Sequence, residues 1–375
     1  MCGLLLRAGL GAALFLLTPP AGALLNIDGS RNQVFVFGGV TFGYNSNIFA
    51  EAGGEGDYSV TAQAGAELKR RAGIIAVNAT AKVDYITFGK YTGENSLNPS
   101  FNLALNKTTG RTTGALTINA YRETRSDSAV NLRTSSWNFP VTLGLKYPVN
   151  DKFYLSSNTG YLRRTYADNS ALVDYTDSSE SIDVYYTYTS KLDLVGGYRV
   201  RSSRTSAGGR TTDHWFNLGA EGGLLAKLSG SVRLGYQLRH AKDNGTDDFS
   251  HFNALASLTW PITRKIFLGL VASRDFNTIA TGTSVDSASA ALRGTYIYSR
   301  KFEFSADTAV GRNEFLGRNQ PARNDTFFSW NAGGIYRPNE HLQIGATYTY
   351  SRNWSSFEFS DYDNHGFSID ISSRY

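Results

Sequence analysis

Phe367-Ser368-Ile369-Asp370-Ile371-Ser372-Ser373-Arg374-Tyr375 alternates apolar and polar side chains and stops on an aromatic. A period of two is that of a β-strand, whose successive side chains point to opposite faces. The same pattern recurs upstream. Trp137, Phe139, Val141, Leu143, Leu145 and Tyr147 share one face, while Asn138, Thr142, Gly144 and Lys146 share the other. Ile75, Val77, Ala79, Ala81, Val83 and Tyr85 alternate with Asn78, Thr80, Lys82 and Asp84, and Leu342–Tyr350 repeats the motif. Aromatics stand at both ends of the Trp137–Tyr147 stripe, as they do at the two water interfaces of a membrane. Strands with one lipid-compatible and one polar face can cross a bilayer only in a closed barrel, where every backbone N–H and C=O finds a partner.

The N-terminus points to secretion. Arg7 is the only charge before Asp28, Ala8–Leu17 is apolar, Pro19-Pro20 ends that run and Ala21-Gly22-Ala23 offers a small-residue cleavage site. We read residues 1–23 as a signal peptide and 24–375 as one barrel domain. Cys2 and Met1 are the only residues of their kinds, so the remaining chain holds no disulfide and depends on its hydrogen-bond ladder. The mean hydropathy of −0.29 conceals a lipid-facing surface, because alternation averages it away. A formal net charge of +5, with no basic block and no zinc spacing, gives no reason to expect nucleic acid as a partner.

Connections sort into two kinds. Arg71–Gly73, Thr109–Arg111, Pro148–Asp151, Ser190-Lys191, Ala226-Lys227, Pro261–Arg264, Ser299-Arg300 and Arg337–Glu340 read as tight turns. Between them lie longer polar stretches: Asn45–Asp57, Phe88–Asn98, Glu123–Thr134, Ala167–Ser178, Arg204–Thr212, Lys242–Asp248, Asp275–Asp286, Leu316–Asn324 and Ser355–Asn364. Outer-membrane barrels keep short turns on the periplasmic side and long loops outside. The expected fold is therefore all-β, a transmembrane antiparallel up-and-down β-barrel of about 18 strands, each of roughly 9–14 residues. About 16 strands is the alternative, should a weak strand near Phe101 or Ala288 not form. The cell outer membrane is the expected location, with outer-membrane lipid and lipopolysaccharide as surroundings. The glycine-rich Asn45–Asp57 stretch is the candidate gate.

Tyr44-Asn45-Ser46-Asn47-Ile48-Phe49 carries a Y-x-x-N-I-F pattern, and Tyr147-Pro148, Trp260-Pro261 and Arg337-Pro338 place a proline where a strand meets a turn. These features resemble the outer-membrane β-barrel porin family associated with exopolysaccharide-export operons. The resemblance implies a wide barrel that exports a polysaccharide or related polymer, with an anionic polysaccharide as partner. A small-solute porin and a non-transport surface barrel are the alternatives. Phe367, Ile369, Ile371 and Tyr375 also resemble the C-terminal insertion signal read by the barrel-assembly machinery.

The polar faces give the candidate lumen lining. Lys82, Lys146, Arg199, Arg201, Arg233, Arg239 and Arg293 are expected to point inward, with Asp84, Asp183, Glu221, Glu303 and Asp307. Opposite charges around a narrow wall set a transverse field, and the basic excess favours anionic solutes. Inward Tyr121, Tyr185 and Trp215 offer ring faces to sugars. Enzyme signatures fail: Lys242 stands where a lipase serine would follow His240, and the carboxylates near His251 and His365 read as solvated loops. Asp243–Asp248 and Asp361–Asn364 lack calcium-loop spacing. No cofactor and no metal is expected.

Overall fold

The computed structural model describes residues 25–26, 32–127, 132–167, 172–242, 248–317 and 323–375. The signal-peptide reading and the acidic stretch 243–247 lie outside the described residues.

The strands are β1 (Leu25–Asn26), β2 (Asn32–Asn45), β3 (Asp57–Ala72), β4 (Ile75–Phe88), β5 (Ser96–Lys107), β6 (Thr113–Asp127) and β7 (Leu132–Pro148). Next come β8 (Phe153–Tyr166), β9 (Tyr175–Thr189), β10 (Leu192–Thr205), β11 (Arg210–Gly223), β12 (Ser229–Ala241) and β13 (Phe249–Pro261). The series ends with β14 (Ile266–Thr278), β15 (Ser284–Ile297), β16 (Phe302–Leu316), β17 (Asn324–Tyr336), β18 (Leu342–Ser355) and β19 (Tyr362–Arg374). Each of β2–β19 pairs antiparallel with its sequence neighbours, and β19 returns to β2 from Gly366↔Asn45 to Arg374↔Phe37. The result is a closed 18-strand barrel without a free edge. Tyr375 completes the seam: its N–H donates to the Val36 carbonyl and its carbonyl accepts from the Val36 N–H, both at 2.9 Å. The two-residue β1 continues that seam, with Leu25 opposite Val34 and Asn26 opposite Gln33.

Strands β2–β19 run from 12 residues in β5 to 17 in β7, longer than alternation alone implied. Stretches read as loop continue the ladder: β6 extends to Asp127 and β7 begins at Leu132, within the segment Glu123–Thr134. Alternation fades there because both faces meet polar surroundings, yet the backbone pairing persists. The segments near Phe101 and Ala288 form β5 and β15.

Ladder partners share a face, which fixes inside and outside. Tyr198 lies opposite Phe216, Phe216 opposite Tyr236 and Tyr236 opposite Phe252. This face is bare, with Phe252 78% and Leu218 73% exposed, and it is the apolar outer wall. Phe367 and Ile369 belong to that wall, on the same face of β19 as Ile371 and Tyr375.

Candidate functional site: a pinned hairpin inside the lumen

The lumenal face is the opposite one. By register it carries Lys82 and Asp84 on β4, Lys146 on β7, Asp183 on β9, Arg199 and Arg201 on β10, and Glu221 on β11. It also carries Arg233 and Arg239 on β12, Arg293 on β15, and Glu303 and Asp307 on β16. Nearly all are paired. Lys82 Nζ lies 2.8 Å from Asp84, Arg233 3.0 Å from Asp183 and 3.7 Å from Glu221, and Arg337 3.1 Å from Glu303. Arg293 bonds Asp307. Lys146 Nζ sits 3.7 Å above the Tyr154 ring.

Asp213 and Asp275, which the sequence reading left at loop boundaries, also face inward. They cancel the cationic excess of the candidate lining. Asp213 is 1% exposed and lies between two guanidiniums. Arg239 donates to it through Nε at 2.6 Å and Nη2 at 2.8 Å, and Arg201 through Nε at 2.8 Å and Nη2 at 2.6 Å. Two buried cations around one anion leave one positive charge over, and the β14–β15 hairpin supplies its match. Asp275 accepts from Arg199 at 2.9 Å, from Arg201 at 3.2 Å and from Gln237 at 2.8 Å. Arg201 also donates to the Phe276 carbonyl, and Arg239 to the Asn277 carbonyl at 3.1 Å.

These bonds run across the lumen, since β11–β13 stand between β10 and β14. The hairpin can reach because β14 leaves β13 early. Their ladder ends at Ala254↔Arg274, while β14 and β15 stay paired to Thr278↔Ser284. The freed tip turns inward and lays Phe276, 2% exposed, between the Arg239 guanidinium at 5.0 Å and the His251 ring at 4.0 Å. His251 Nδ1 in turn lies 2.9 Å from Asp286 of β15. At the tip, Gly282 has φ +81, a left-handed turn that suits a residue without Cβ. The Ala280 carbonyl accepts from Val173 N–H at 2.8 Å, so the tip reaches the loop between β8 and β9. Arg239 therefore points inward but is 0% exposed and touches no water.

Two of the inward rings, Tyr185 and Trp215, are occupied as well. Tyr185 stacks on Tyr154 with centroids 4.4 Å apart, bonds Glu221 at 3.0 Å and is 6% exposed. Trp215, also 6% exposed, lies under the Arg199 guanidinium at 4.3 Å. Neither presents a free face to a sugar. The Asn45–Asp57 stretch is held by its neighbours: Ile48 is fully buried, Ala52 N–H donates to the Phe359 carbonyl at 3.0 Å, and Phe49 packs edge-on against Tyr91. Among the described residues, the segment that enters the lumen is the β14–β15 hairpin, and no local sequence signal marks it, because its hydrogen-bonding partners Gln237 and Arg239 lie 38 residues away and Arg199 and Arg201 over 70.

The histidines weighed for catalysis sit apart. His240, on the outer wall, bonds Asp248 at 2.8 Å, and that bond holds the loop carboxyl below its usual range. On the same wall the Tyr236 hydroxyl donates to Ser250 at 2.8 Å. His365 bonds Tyr348 at 2.8 Å and lies 3.8 Å from Asp363, while Asp361 is taken by Arg352. Among the described residues no group of three His, Cys, Asp or Glu side chains gathers as a metal cage requires.

Residues 215–375 match the family model described as "Putative beta-barrel porin 2". No curated protein matches the chain in sequence. Among solved structures, the FrpB iron transporter of Neisseria meningitidis (F3-3 variant) is similar with a TM-score of 0.51 and 12% identity, covering 90% of this chain and 64% of that one. The chain thus spans less than two thirds of that transporter's length. OpdK of Pseudomonas aeruginosa, solved with vanillate, has a TM-score of 0.50 and 10% identity, covering 91% of this chain and 99% of that one. At such identities the likeness is one of fold. The stretch that resembles this beta-barrel porin model, Trp215 to Tyr375, includes β12 and the inward hairpin.

Proposed function

We propose that the chain is an outer-membrane channel that passes small polar solutes through a lumen narrowed by the β14–β15 hairpin. The pinned hairpin carries this reading. A barrel of 16–18 strands is wide enough for water, and an inward segment held by Asp275 and two backbone carbonyls sets a size limit. The lining of matched charges supplies a transverse field that orders water and selects polar solutes over apolar ones. The porin match favours transport over catalysis. Outer-membrane lipid and lipopolysaccharide surround the wall, and the barrel-assembly machinery inserts it by reading Phe367, Ile369, Ile371 and Tyr375.

Export of an anionic polysaccharide is the second reading, favoured by the Tyr44–Phe49 motif. It requires the hairpin to swing away from Arg201 and Arg239. Single-channel recording of the refolded barrel in a planar bilayer separates the two, with and without an acidic oligosaccharide. Open steps indifferent to the oligosaccharide support the small-solute channel, and steps that it blocks support polymer export. A folded barrel without conductance overturns both.

A further inference from the structure

The eight short turns share one sign of charge. Seven of them hold a Lys or Arg between their strands, and Arg70 and Arg71 lie at the end of β3, just before the eighth. Arg111, Lys152, Lys191, Lys227, Lys265 and Lys301 come from six consecutive turns, β5–β6 to β15–β16, and all are exposed. The only carboxylates in the eight turns are Asp151 and Glu340. A basic collar therefore surrounds the turn end of the barrel.

Among the described residues no carboxylate pairs with these six, nor with Arg70, Arg71, Arg264 or Arg300; Arg337, 3.1 Å from Glu303, is the exception. Lys227 Nζ donates instead to the Ile262 carbonyl at 3.2 Å and Lys265 Nζ to the Tyr298 carbonyl at 2.9 Å, each reaching the next turn. The Arg111 guanidinium lies 4.7 Å from the centre of the Tyr147 ring. Carbonyls and a ring face hold these cations along the rim and leave their charge uncancelled. The loop end is mixed in sign: Lys90 bonds Glu55, Arg274 lies 2.7 Å from Asp286, and Arg352 bonds Asp361. Geometry makes the collar act as one. Strands about 4.8 Å apart and tilted by about 40° give an 18-strand barrel a radius of roughly 18 Å. At about 0.01 M salt the Debye length of about 30 Å exceeds that radius, so every cation of the collar adds to the potential on the axis.

We propose that this collar is an electrostatic entrance for small multivalent anions: phosphorylated or polycarboxylate solutes gather at the turn-end mouth and enter the channel from that side. Like charges around a mouth raise the local concentration of the opposite ion before any contact forms. This rests on the channel reading above, and short turns face the periplasm in outer-membrane barrels, so the anions are drawn from the periplasmic side. The paired charges of the lumen set which ions pass, and the collar sets the side from which anions arrive.

The test records single channels of the refolded chain in a phosphatidylcholine bilayer at about 0.01 M KCl, with tripolyphosphate added to one chamber and then to the other. Scored channel by channel, half-block from one side should need at least roughly tenfold less tripolyphosphate than from the other, the effect of a potential of several kT on a multivalent anion. At about 0.15 M salt, where the Debye length is about 8 Å, that ratio should shrink toward one. Lys227→Glu, Lys265→Glu and Lys301→Glu together should remove or reverse it, and the same three changes to Gln should reduce it. Arg312→Glu, at the loop end of β16, should leave it unchanged. Equal block from both sides overturns the collar, as does a side preference that survives the triple Glu variant or is lost with Arg312→Glu. A preference abolished by adding phosphatidylglycerol to the bilayer means that lipid headgroups hold the collar, and overturns the solute assignment. A barrel without conductance overturns the channel reading and not the collar. Calorimetric titration in nonionic detergent at the same salt should then show tripolyphosphate bound by the unaltered chain and not by the triple Glu variant. No binding by the unaltered chain overturns the collar as well.

Discussion

Asp213 accepts hydrogen bonds from Arg201 and Arg239 while 1% exposed, and that burial decides what its loss would do. A buried ion pair adds little beyond its desolvation cost, but removing one partner strands the other in a poorly solvated place. Asp213→Ala leaves Arg239 with only the Asn277 carbonyl and the Phe276 ring. We expect a stability loss of about 3–5 kcal/mol, measured by urea unfolding of the barrel in lipid vesicles. Asp213→Asn keeps an acceptor and should lose less. A loss below about 1 kcal/mol for the alanine variant would mean that water already reaches these guanidiniums. Sequence reading placed Arg201 and Arg239 on the inner face but left Asp213 at the edge of a loop. The reason is local: Thr211, Thr212 and Asp213 are all polar, so no apolar partner marks the phase of the strand.

Among elements, β14 differs from the rest because it parts from β13 beyond Ala254↔Arg274, while β15 stays paired with β16 to Ser284↔Leu316. The hydrogen bonds between β14 and β15 continue to Thr278↔Ser284 after β13 has stopped pairing, so the hairpin keeps its ladder while its tip crosses the lumen. If the tip narrows the path, replacing Ile279–Thr283 by a two-residue turn together with Phe276→Ala should raise single-channel conductance by roughly twofold or more. An unchanged conductance would place the narrowest point elsewhere. The seam between β19 and β2 makes a second prediction. Tyr375 exchanges two backbone bonds with Val36 and stacks on His341 with centroids 4.7 Å apart. Deleting Ser373–Tyr375 removes that closure and the terminal aromatic together, and should abolish membrane insertion and the heat-modifiable band on gels. A normally inserted barrel would show that the rest of the β19–β2 ladder suffices. Strand number and turn positions were legible because each needs only local information: alternation over a few residues and, at five of the eight turns, a Pro or Gly at the break. The inward hairpin was not, because Asp275 and Phe276 find their partners on β10 and β12, and a linear pattern cannot encode contacts that only closure brings together.

For the whole molecule, the charge lining decides what a channel would prefer. Counting polar positions gave a basic lumen, but Asp213 and Asp275 balance it, and the salt bridges confine most of the charge to pairs. Selectivity should then depend on the few residues that water reaches. Arg293 is the clearest, 73% exposed beside Asp307, whereas Arg199, Arg201 and Arg233 are between 13% and 23% exposed and Arg239 is buried. Buried pairs act on the permeating ion mainly as dipoles, whereas an exposed charge acts on it directly through water, within a Debye length of about 10 Å at 0.1 M salt. Arg293→Glu should shift the reversal potential in a salt gradient toward cation preference, most clearly below 0.1 M salt. Arg239→Gln should leave the reversal potential unchanged while lowering stability, because its charge serves the hairpin and not the path. Opposite outcomes, with Arg239 moving the potential and Arg293 leaving it, would mean that ions pass along the pinned hairpin and not along the β15–β16 wall.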